Sequence, residues 1–96
     1  MNQSDRLAHY IRLIEEFLAG RRTPDGFSRT FFQRFKTDPG GWQQDTFDAL
    51  NWIATACESY TPQPPRSEFD VTEADLRSQC VQRLDELRRL QRRVSG

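Results

Sequence analysis

Apolar residues recur at intervals of three and four through four separate stretches of this chain, and no stretch alternates apolar with polar residues. That period stacks apolar side chains on one face of a helix and leaves no pattern for a half-buried strand. The first stretch, Leu7, Tyr10, Ile11, Ile14, Phe17 and Leu18, is preceded by Ser4 as a candidate cap and stops at Gly20. The second opens on Thr23-Pro24-Asp25, which supplies a cap, a first-turn proline and an acid, and it aligns Phe27, Phe31 and Phe35. Asp38-Pro39-Gly40-Gly41 reads as a loop. The third stretch carries Phe47, Leu50, Ile53, Ala54, Cys57 and Tyr60, with Trp42 and Trp52 sealing its ends and flanks. Thr61-Pro62-Gln63-Pro64-Pro65 forbids helix and makes a stiff surface connection. In the fourth, Thr72 caps, Asp75 closes a capping box, and Val71 is placed to staple onto Leu76, ahead of Cys80, Leu84, Leu87, Leu90 and Val94.

The spacing therefore predicts helices over about 5–19, 24–37, 43–60 and 73–93. Four amphipathic helices with short connections fit an all-α fold, an antiparallel four-helix bundle around the aromatic residues. At 96 residues the chain is expected to form a single domain over 1–96. A chain of that size buries only about 60–65% of the surface its unfolded form exposes, which leaves little room for an enclosed catalytic cavity.

The residue types that carry catalysis are sparse and dispersed. His9 is the lone histidine, with no acid or thiol at a motif spacing, and reads as a surface residue or one at the edge of the core. Cys57 and Cys80 lie 23 residues apart within helical patterns, so they read as buried reduced thiols, with a disulfide between helices as the alternative. No Cys or His pair has zinc spacing, and Gly40-Gly41 lacks the strand and the Lys-Ser/Thr of a phosphate loop. Asp70, Thr72 and Asp75 lack the glycine and terminal glutamate of a calcium loop. The expectation is a protein that is not an enzyme and holds no metal or cofactor. Charges interrupt every apolar window near the N-terminus, so neither a secretory signal nor a membrane span is expected, and the expected location is the cytoplasm.

The formal net charge of zero hides a strong segregation. Residues 38–75 hold eight carboxylates, Asp38, Asp45, Asp48, Glu58, Glu68, Asp70, Glu73 and Asp75, against Arg66 alone, while both flanks are basic. A concentrated field of one sign draws a partner of the other and speeds encounter. Asp38, Asp45 and Asp75 have local explanations as loop or helix-start residues. The C-terminal run Arg88-Arg89 and Arg92-Arg93 opens a second reading, a small helical regulator that grips nucleic acid through its last helix. Cations in the last turns also complement the helix dipole, and no aromatic is interleaved among them. A third reading is a dimerisation module built on the long fourth helix.

Three runs taken together carry a family likeness: Ala56-Cys57-Glu58-Ser59-Tyr60-Thr61-Pro62, then Arg66-Ser67-Glu68-Phe69-Asp70-Val71-Thr72-Glu73, then Leu76-Arg77. The order is a helix ending in an aromatic, a proline, an arginine, then aromatic, acid, aliphatic, acid and a leucine-led last helix. Phe17-Leu18-Ala19-Gly20 followed by Phe27, Phe31 and Phe35 extends it to the N-terminal half. In these features the chain resembles the bacterial self-protective colicin-like immunity proteins, a family that includes the colicin D immunity protein and immunity proteins of contact-dependent growth-inhibition systems. The likeness covers roughly residues 7–90. Pro64, Pro65 and Thr72 depart from the pattern.

The resemblance implies a four-helix bundle that binds a cognate toxin nuclease domain, typically one that cuts tRNA, and blocks its basic active-site cleft with acidic groups that stand in for phosphates. It implies a monomer in a 1:1 complex with the toxin and no direct contact with nucleic acid. Carboxylates suit the task because their charge-assisted bonds to Arg and Lys are roughly twice as strong as neutral ones. The residues expected at the toxin are Glu58, Glu68, Asp70 and Glu73, along one edge made by two helix ends and their connection, together with Asp48. Tyr60 and Phe69 are the aromatic candidates for an anchor, and Arg66 is expected to hold the connection by pairing with a neighbouring acid.

Overall fold

Helix α1 runs Gln3–Leu18 in the computed structural model, α2 Pro24–Lys36, α3 Gln44–Ser59 and α4 Glu73–Ser95. The structure describes residues 3–60 and 71–95. The four helices stand where the periodicity puts them, with ends shifted by one or two residues. At the start of α1 the expectation needs correcting, because the helix already includes Gln3 and Ser4 therefore lies inside its first turn.

The local signals act as their chemistry requires. Gly20 takes φ 80° and ends α1 in a Schellman motif, with Arg21 N–H donating to Glu16 O at 2.8 Å and Gly20 N–H to Phe17 O at 3.1 Å. Thr23 caps α2 by accepting from Gly26 N–H at 3.0 Å. At α4 the capping box is reciprocal: Asp75 N–H donates to Thr72 Oγ1 at 3.2 Å and Thr72 N–H to Asp75 Oδ2 at 3.3 Å.

Each helix packs chiefly on two neighbours, α1 on α2 and α4, and α3 on the same two from the other side. Paired residues fix the directions. Tyr10 meets Phe31 at 5.1 Å between ring centroids and Phe17 stacks on Phe27 at 4.5 Å, so α1 and α2 are antiparallel. Arg88 reaches Glu15 at 2.7 Å while Arg77 lies over Phe17 at 4.6 Å, so α4 also runs against α1. Leu50, Ile53, Leu76, Cys80 and Leu87 complete a core built on these aromatics. Phe47 departs from the expected stripe. It is 41% exposed, with its ring tilted against Phe35 at 5.7 Å between centroids.

A second departure concerns Asp38, expected as an ordinary loop residue. Its side chain is 8% exposed and gathers four donors: Arg6, Tyr10 Oη at 2.8 Å, Gly40 N–H at 2.8 Å and Trp42 Nε1 at 3.1 Å. Arg6 also donates to Gly40 O at 2.9 Å and lies 4.3 Å from the Trp42 ring centroid. One carboxylate thus ties the start of α1 to the loop between α2 and α3.

Cys57 and Cys80 are both free and buried, and the pKa of each thiol is pushed up to about 12, by burial first and in Cys57 also by the neighbouring Cys80. The thiolate is the reactive form. Neither thiol is therefore expected to react with Ellman's reagent in the native protein at pH 8, whereas both should react after urea unfolding; rapid native labelling would contradict this packing.

Candidate functional site

Helix α3, QDTFDALNWIATACES, contains three carboxylates and neither lysine nor arginine. Its buried face is Thr46, Ala49, Leu50, Ile53, Ala54, Ala56 and Cys57. On the opposite side Asp48, Asn51, Thr55 and Glu58 follow one another at three- and four-residue steps and are all exposed. Asp48 and Glu58 stand about 15 Å apart along this ridge.

The flanking cations redistribute the acidic surplus. Arg6 takes Asp38, Arg93 takes Asp45 at 3.1 Å, and Arg77 takes Glu73 at 3.1 Å. Asp75 is engaged in the α4 cap. Among the described residues, no cation lies within ion-pair distance of Asp48 or Glu58. Asp48 accepts from Gln44 Nε2 at 2.7 Å, a neutral donor on its own helix. Glu58 sits in the last turn of α3, against the negative end of the helix dipole and with no basic residue in that turn. An acid there is unfavourable by about 0.3–1 kcal/mol. Local folding therefore gives no reason for it.

The end of α3 and the start of α4 are drawn together by an isolated bridge between Tyr60 and Val71, with Val71 N–H donating to Ser59 O at 3.1 Å. Glu58, Tyr60 and Glu73 consequently share one end of the bundle. The connection that carries Arg66, Glu68, Phe69 and Asp70 lies outside the described residues. Asp48 is near the other end of α3. Tyr60 is half-buried against the core, and the pKa of its hydroxyl is pushed up by burial first, then by the charges of Glu73 and Asp25. Asp25, in the first turn of α2, is thus a further acid at this end, partly matched by Arg29 at 3.0 Å. Its separation in sequence from Tyr60 hides it from a local reading.

Trp52 is likewise not legible in the sequence as a surface feature. It is 52% exposed, one turn from Asp48 and beside Thr55. Its indole N–H donates to Gln79 and the Arg83 guanidinium lies 5.1 Å from its ring centroid, so α4 holds it in place.

The basic surfaces are differently arranged. Arg88 pairs with Glu15, Arg89 with Asp85 and Arg93 with Asp45, so three of the four C-terminal arginines are committed to carboxylates. That removes much of the charge a phosphate backbone would need. His9 Nδ1 lies 3.3 Å from Arg34 Nη1 beside an open groove of about 1100 Å³ between α1 and α2, lined in part by Arg6, Arg29, Arg34 and Asp38. Among the described residues no group of His, Cys, Asp or Glu has a metal-binding arrangement. No described helix is long and apolar enough to cross a membrane.

A family model described as bacterial self-protective colicin-like immunity matches residues 6–87. No curated protein and no solved structure matches the chain.

Proposed function

The chain belongs to the bacterial self-protective colicin-like immunity family, and from that premise we propose that it neutralises a nuclease toxin by covering the toxin's basic active-site cleft with carboxylates that stand in for RNA phosphates. The toxin class is a tRNA-cleaving domain, the complex is 1:1, and the setting is the cytoplasm of the cell that makes both proteins. The site is the acidic edge of Glu58, Glu73, Glu68 and Asp70 with Asp48 beyond it, and Phe69 and the open side of Tyr60 as aromatic contacts. The observation that carries this reading is Glu58, exposed at the unfavourable end of a cation-free helix and without a cation partner among the described residues. An acid that costs folding stability in this way is well placed to meet a cation supplied from outside.

The test uses the purified C-terminal domain of the toxin encoded beside this protein and a tRNA-cleavage assay. Equimolar addition should abolish cleavage, with a 1:1 complex on size-exclusion chromatography. A complex that leaves cleavage intact would exclude active-site occlusion. No complex at all would remove the reading.

A further inference from the structure

We infer that the toxin contact is anchored on Trp52, so that the outer face of α3, and not only the edge at its C-terminal end, is the docking surface for a cationic protein surface. The inference rests on the toxin-binding reading above and adds an apolar centre to it. Trp52 is one of three large apolar side chains exposed among the described residues, with Phe47 and Val81 at 41% and 59%. Val81 is an isolated aliphatic on α4. Trp52 is instead surrounded by groups that make an interface. Asp48 is four residues before it on the same side of the helix, and Thr55 three residues after it leads on to Glu58.

Two properties make this indole an anchor. It is already held, by the bond to Gln79 and by Arg83 beside its ring, so ordering it on binding costs little. Asp48 also lies beside it and Glu58 further along α3, about a third of a turn round the helix; no described cation pairs with either, α3 itself carries no positive charge, and the Arg83 charge at the ring is matched by Glu86 at 3.0 Å. A neutral apolar partner would have to desolvate Asp48 and Glu58 without compensation, whereas a partner bearing Arg or Lys satisfies both and can lay a guanidinium against the exposed indole. Charge therefore selects the occupant: a basic toxin surface.

Binding of the toxin domain to Trp52→Ala, Thr55→Arg, Val81→Ala and Glu58→Lys variants, measured by calorimetry, tests this. Trp52→Ala is expected to weaken binding by at least about 30-fold, as a central interface tryptophan does. Thr55→Arg, which places bulk and a like charge on the ridge, should weaken it at least as much, and Val81→Ala should leave it unchanged. Circular dichroism melting on each variant guards against unfolding, and Thr55→Arg gives a reading that does not depend on removing Trp52. If Trp52→Ala and Thr55→Arg stay within about threefold of the unsubstituted protein while Glu58→Lys weakens binding, the anchor is wrong and the acidic-edge reading stands. If all of them bind as the unsubstituted protein does, both fall. Concentration-dependent dimerisation of the free protein that Trp52→Ala abolishes would assign this face to a second copy and overturn the inference.

Discussion

Replacing Asp38 by alanine should destabilise the protein by about 3 kcal/mol, the low end of the range for removing one partner from a buried ion pair, because this pair is part-buried. The carboxylate is 8% exposed and the Arg6 side chain 17%, so water cannot easily replace what is lost. Arg6 would keep Gly40 O, but the Tyr10 hydroxyl, the Gly40 N–H and the Trp42 indole would each lose an acceptor. For a domain of this size the fall in Tm should be on the order of 20 °C. The same site dictates a dependence on pH. Burial alone would push the Asp38 carboxyl up, but the bonds from Gly40, Tyr10 and Arg6 outweigh it and hold it below its ordinary value. With the folded value depressed, the unfolded chain binds more protons in the acid range. The contribution is therefore complete above about pH 4 and disappears as pH falls through the folded value. Urea titrations from neutral pH into the acid range should show a stability loss that Asp38→Asn reduces. An Asp38→Ala variant melting within about 3 °C of the unsubstituted protein would contradict this account. Because the Asp38 carboxylate is turned inward, 8% exposed, and is not one of the acids proposed to meet the toxin, the folded fraction of either variant should bind toxin with unchanged affinity.

What is legible in the sequence is whatever is decided within one helical turn or by one period. The Thr72 and Asp75 box, the Thr23 cap and the Gly20 stop each depend on neighbours three or four residues away, and each stands as expected. Phe27 and Phe31 follow from the same spacing. Apart from Ser4, which falls inside α1 and does not cap it, the departures arise where helices meet. Asp38 looks like loop punctuation because its principal partner, Arg6, is 32 residues distant in sequence. The charge of residues 38–75 looks uniformly available because a tally along the chain cannot see Arg93 reach Asp45 or Arg6 reach Asp38. Period alone assigns Phe47 to the core, yet it lies at the margin of the α3 stripe, where packing geometry and not spacing sets exposure. Trp52 falls at the other margin. Glu58, by contrast, is identifiable both from the family pattern and from its position in the chain, and the structure adds the reason to single it out: no cation among the described residues accounts for it.

Reversing Glu58 and Asp48 to lysine together should separate binding from folding in opposite directions. On the proposed reading each reversal replaces an attraction to a toxin cation with a like-charge contact costing several kcal/mol, so the double variant should bind more than about 1000-fold more weakly. Inside the protein the consequences differ. The lysine of Glu58→Lys would sit at the end of α3 where a cation is favoured, and the helix has no basic residue in that turn. The gain is about 0.3–1 kcal/mol or more, equivalent to a rise in Tm of a few degrees. Asp48 has no cation to lose among the described residues and gives up its bond from Gln44. The variant should therefore melt at or slightly above the temperature of the unsubstituted protein while failing to neutralise the toxin. Raising salt supplies an independent check, since an interface carried by exposed carboxylates must weaken with ionic strength, and the reversed protein has little such dependence left to show. A double variant that melts normally and still neutralises the toxin at equimolar ratio would exclude the outer face of α3 as the acidic surface. The mimicry would then have to reside in the connection that follows Tyr60, where Glu68 and Asp70 lie.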